Sequence, residues 1–124
     1  MKKYLTKKNI LLTLLLAFIV MQFFPIDKTN PPVDKRKDFL EITKPPAVIA
    51  NHIKTMCYDC HSHESIYPWY TNIAPFSWRI ESHIEHGLEH LNFSLWGDYH
   101  KSHRLQKLDQ CVDMCSKYWM PTLD

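Results

Sequence analysis

Cys57-Tyr58-Asp59-Cys60-His61 is the stretch on which the fold turns. Two thiols separated by two residues can each add to a vinyl group of one haem, and the histidine directly after them can ligate its iron. A chain that closes around such a ligand needs less core of its own. That suits residues 45–124, because a domain of this size is marginal on hydrophobic burial alone and is commonly supplemented by a cofactor.

Upstream of the motif, Pro45-Pro46 followed by Ala47, Val48, Ile49, Ala50 and Ile53 predicts a short helix with proline in its first turn, ending near Met56. The two thiols then sit at a helix end. Downstream, Ile66-Tyr67-Pro68-Trp69-Tyr70 predicts a loop whose rings, Trp69 and Tyr70 among them, can wall a flat apolar ligand. A second helix is expected from about Pro75 to Leu91, since Phe76, Ile80, Ile84, Leu88 and Leu91 recur at spacings of four and three and form one buried stripe. Trp78 falls nearly opposite that stripe, where it is expected to meet haem, the linker or a partner. His83, His86 and His90 share one flank of the same helix. Histidines at this spacing can chelate a metal, but no cysteine or carboxylate completes a set on their flank, so a solvated polar flank is expected. A third helix, about His103 to Tyr118, carries Leu105, Leu108, Val112, Cys115 and Trp119 as a core stripe, with Cys111 and Cys115 expected to be buried thiols. One helical turn separates that pair by roughly 5–6 Å at Cβ, wider than a disulfide wants.

The ends and the composition set the context. Lys2, Lys3, Lys7 and Lys8 precede an apolar run from Ile10 to Phe24, the charge order of an export signal or membrane anchor. Bulky residues throughout Val20-Met21-Gln22-Phe23-Phe24 offer no cleavage site, so residues 1–26 are expected to form an uncleaved anchor, a transmembrane helix in the inner membrane. Signal cleavage and release to the periplasm is the alternative. Residues 27–44, charged and proline-bearing, are expected to be a linker. A formal charge of +2 gives no basic footprint for nucleic acid, and two glycines against eight prolines disfavour hairpins, leaving helices joined by proline-punctuated loops.

Four cysteines also raise zinc, with Cys57 and Cys60 as one knuckle and Cys111 and Cys115 as the other. The second pair lies on a helix face without turn residues, which counts against it. A thioredoxin-type redox pair would open a helix after a strand in an alternating pattern that this chain lacks. Haem attachment is favoured because the motif and the export signal together supply the chemistry and the compartment. His61 is then the fifth ligand. For the sixth, Met120 follows the third helix and precedes Pro121, a place where a loop can bring a thioether to iron; a histidine or an open position are the alternatives.

Cys57-Tyr58-Asp59-Cys60-His61-Ser62, Pro68-Trp69-Tyr70, Ile73-Ala74-Pro75, Ser77-Trp78, Leu91-Asn92-Phe93-Ser94, Trp96 and Met120-Pro121, in this order, resemble the haem-binding-domain family of small membrane-tethered periplasmic c-type cytochromes. The resemblance spans about residues 45–121. It implies thioether bonds at Cys57 and Cys60, ligation by His61 and Met120, and a pocket contribution from Trp69, Tyr70, Pro75 and Trp78. Family members generally continue past the Met-Pro pair into a further helix, whereas this chain stops at Asp124, so a domain shortened at its C-terminus is expected.

The expected protein is therefore all-α: a small cytochrome c-like helical domain around one covalent haem c, behind an N-terminal anchor. It is expected to be a non-enzymatic carrier of single electrons between redox partner proteins of a respiratory or periplasmic chain. A haem-based gas sensor with an open sixth position is the alternative, and peroxidase chemistry would need an acid-base group for which His63 and His83 are the candidates.

Overall fold

The structure, a computed structural model, describes residues 6–117 and residue 120. These residues form six α-helices, α1 (Lys7–Met21), α2 (Phe39–Thr43), α3 (Ala47–Met56), α4 (Tyr58–His61), α5 (Phe76–His90) and α6 (Lys101–Ser116). Short 3-10 turns occupy Lys35–Lys37, Trp69–Asn72 and Phe93–Asp98, and no strand occurs among the described residues. The all-helical expectation holds, and the three helices read from periodicity appear as α3, α5 and α6.

Two units divide the chain: Met1–Lys28 with Tyr67–Ser82, and Thr29–Ile66 with His83–Asp124. In the first, the Thr6 hydroxyl accepts from the Asn9 N–H to start α1, and no side chain of α1 is buried. Leu11, Leu12, Leu14, Leu15 and Leu16 all stand exposed. The helix ends at Met21, and the Gln22 amide that follows it reaches Ala74, donating to its carbonyl at 3.1 Å and accepting from its N–H at 3.0 Å. At about 1.5 Å per residue such a helix rises about 22 Å, short of the roughly 30 Å hydrocarbon core. No helix among the described residues is long and apolar enough to cross a membrane, and residues 1–5 of the expected anchor lie outside the described residues. In the same unit the Trp78 indole N–H donates to the Phe24 carbonyl at 2.9 Å, which gives Trp78 its contact.

The second unit is built on aromatic rings. Phe39, Tyr58, Leu91, Phe93 and Trp96 form its core, with Leu40, Ile53, Cys57, Tyr99 and Cys111 packed against it. Phe39 lies edge-on to Trp96 at 4.8 Å between centroids, and Tyr58 stacks on Phe93 at 5.4 Å. Such ring pairs contribute about 0.5–1.5 kcal/mol each beyond the area they bury.

Part of the stretch assigned to a linker belongs to this core. Asp38 caps α2 by accepting from the Leu40 N–H, and Phe39 is buried. The polarity that made residues 27–44 read as solvated is used up locally: Asp34 caps the turn Lys35–Lys37, and Asp38 is consumed by the cap and by Tyr58.

The core stripe expected on the third helix does not form among the described residues. Leu105 and Val112 are 68% and 71% exposed, and Cys115 is exposed too, while Cys111 alone of the pair is half-buried. Periodicity identifies an apolar face but not what covers it. Trp119 and Tyr118 lie outside the described residues. On α5, Ile84 is buried, Ile80 and Leu88 are half-buried, and Phe76 is exposed.

Candidate functional site

Cys57 ends α3 and opens the single turn of α4, so Cys60 and His61 follow it within one helical turn. The motif is fixed from inside. Tyr58, one of the two residues between the thiols, is 1% exposed, and its hydroxyl donates to the buried Asp38 carboxylate at 3.0 and 3.1 Å. Burial, together with the adjacent carboxylate, pushes the Tyr58 phenol far above its ordinary range. With Tyr58 facing the core, Cys57, Asp59, Cys60 and His61 are left partly exposed.

His61 is held by α5 and the residue beyond it. Its Nδ1 lies 2.9 Å from the Gly87 carbonyl oxygen and 3.0 Å from that of Leu91. Both partners only accept, so Nδ1 carries the proton and Nε2 keeps its lone pair. A backbone carbonyl on one ring nitrogen is the usual device for directing the other at a metal.

Gly87 makes this approach possible: a Cβ there would stand 2.5 Å from the Cys60 carbonyl oxygen and 3.5 Å from the His61 ring. Glycine is otherwise a poor residue for a helix interior. That cost was the available signal for a close approach, and the sequence reading missed it.

All four cysteines are free thiols. Burial raises the Cys57 thiol, with the Cys115 and Cys60 sulfurs adding to it, and burial with Asp59 raises Cys60. Redox-active pairs have depressed thiols, so a thioredoxin-type role is not what this environment provides. Nor do three or more His, Cys, Asp or Glu side chains converge to hold a metal among the described residues, as a zinc module would require.

Cys111 is pushed up to about 11 by burial and by the neighbouring Cys115 and Cys57 sulfurs. Iodoacetamide at pH 7.5 should therefore label exposed Cys115 well before Cys111, and Cys111 labelling should accelerate up to about pH 11. Peptide mass spectrometry across that pH range checks the order; equal rates at pH 7.5 would contradict the burial of Cys111.

The remaining expected site residues divide between the two units. Trp69, Tyr70, Pro75 and Trp78 belong to the first, where Trp69 is 74% exposed and meets Tyr70 edge-on at 5.9 Å. Met120 is half-buried at a bend beyond α6, and its neighbour Pro121 lies outside the described residues. His83 is exposed on α5. His63 is engaged: Asn92 Oδ1 accepts from the Ser94 N–H, which turns Asn92 Nδ2 to His63 Nε2 at 2.8 Å, while His63 Nδ1 is buried without a partner. An imidazole whose acceptor nitrogen is already taken is poorly placed to serve as an acid-base group.

Fold and site together define a small helical protein that presents one imidazole nitrogen and two neighbouring thiols at a single place. The chain belongs to the haem-binding domain family, whose model matches residues 16–124. Comparison with curated proteins and with solved structures gave no match. The residues present fit haem: His61 is oriented with Nε2 free, and the motif is brought against α5 at a glycine.

Proposed function

We propose that Cys57 and Cys60 would fasten one haem c through thioether bonds, that His61 Nε2 and the Met120 sulfur would ligate its iron, and that the protein carries single electrons. The observation that supports this most strongly is the His61 ring, whose proton is committed to the Gly87 and Leu91 carbonyls and whose other nitrogen is free. Bound haem supplies a one-electron iron couple, and a soft, uncharged thioether ligand favours its ferrous state. The protein's part is to hold and orient. Tyr58, anchored on Asp38, fixes the backbone between the two thiols, and Gly87 admits the helix that positions His61.

The proposed setting is the periplasmic face of the inner membrane, with redox partner proteins as donor and acceptor. Lys7 and Lys8 at the start of α1 and its leucines, exposed on every side, favour a membrane tether, because such a surface is unfavourable in water.

Haem staining after denaturing electrophoresis, on protein made with c-type maturation machinery, tests the covalent step. Colour should stay with the chain and vanish in the Cys57→Ser, Cys60→Ser double variant. Haem that washes out of the unsubstituted protein would refute thioether attachment. Met120 is tested separately: the reduced protein should resist carbon monoxide and Met120→Ala should bind it, whereas ready binding by the unsubstituted protein would favour the gas-binding alternative.

A further inference from the structure

The histidines of α5 carry more than a polar flank. His86 and His90, one turn apart and both exposed, have ring centroids 4.6 Å apart and planes inclined at 62°. Two imidazoles on one tetrahedral metal, each at a metal–nitrogen distance of about 2.0–2.1 Å, have centroids roughly 5 Å apart. The rings therefore already stand close to the separation that chelation requires. Two histidines four residues apart on one helical face are the arrangement that zinc-binding helices use.

We propose that His86 and His90 form a two-ligand site for a borderline divalent cation of the zinc and copper class, separate from the haem ligands and with its remaining positions filled by water. Imidazole suits both metals, and copper should bind more tightly than zinc. No third protein ligand is required, which is consistent with the absence of any three-residue metal cluster among the described residues. An open surface chelate needs two.

Zinc chloride titrated calorimetrically into the haem-loaded protein tests this. One zinc should bind per chain without changing the haem spectrum. His86→Ala and His90→Ala should each weaken binding at least about tenfold, the loss that even outer-shell changes cause at metal sites. His52→Ala, which removes an exposed histidine of α3, should leave it unchanged. Undiminished affinity in His86→Ala or His90→Ala overturns the proposal, as does loss confined to a His83 variant or a zinc-induced change in the haem spectrum. Nuclear magnetic resonance on the unsubstituted protein is independent of any folding defect in a variant: zinc should move the imidazole resonances of two histidines, assigned to His86 and His90, and any other pair refutes the site.

Discussion

Gly87→Ala should destabilise the protein and lower its yield of attached haem, reversing the usual effect of this substitution. In an exposed helix interior, alanine is better than glycine by about 1 kcal/mol, so propensity alone predicts a gain. Here the added Cβ would stand 2.5 Å from the Cys60 carbonyl oxygen, a main-chain atom inside the motif that no side-chain rotation can move aside. Relieving that overlap shifts α5 or α4, and overpacking of this kind typically costs about 1–3 kcal/mol, enough to offset the helical gain. The shift also draws the Gly87 and Leu91 carbonyls away from His61 Nδ1, so the ring loses the contacts that fix its orientation. A melting point several degrees lower, in line with about 4–8 °C per kcal/mol for a small domain, should accompany the lower haem yield. A Gly87→Ala protein at least as stable as the original, with full haem content, would show that α5 does not approach the motif this closely.

How much of this was legible beforehand depends on the length scale of each feature. The helices of residues 47–56 and 76–90 follow from local signals: prolines in or before the first turn, and apolar residues at three-four spacing. The motif Cys57 to His61 is contiguous and therefore visible. Features that depend on contact between distant residues were not. Tyr58 sits at a position of the motif that the attachment chemistry does not specify, so nothing local marks it as the most deeply buried large ring or names Asp38, twenty residues earlier, as its partner. Asp38 reads as one more charge in a polar run. Period also failed on α6, where Leu105 and Val112 have the spacing of a buried face without its burial. An apolar stripe shows which side of a helix avoids water; which surface covers it is decided by the rest of the molecule.

The Tyr58–Asp38 pair governs the second large effect, which appears as a dependence on alkaline pH. Tyr58→Phe removes the hydroxyl that donates to both oxygens of a carboxylate only 3% exposed. Leaving a buried acceptor without its donor costs about 1–3 kcal/mol, so at pH 8 the variant should be less stable by that order. Tyr58 also titrates. Burial and the Asp38 charge raise the folded-state pKa of Tyr58 above the ordinary tyrosine value of 10.0. Stability linked to a raised pKa is fully present below the unfolded value and is lost as pH rises toward the folded one. The original protein should therefore lose about 1.4 kcal/mol per pH unit above pH 10 through this residue, because the unfolded chain releases a proton that the folded chain retains. Phenylalanine has no such proton. Urea unfolding of both proteins at pH 8 and again near pH 11 should show a gap that narrows at the higher pH. A gap of constant size would mean that Tyr58 ionises alike in the folded and unfolded chains, and hence that the ring between the two thiols is not locked against Asp38.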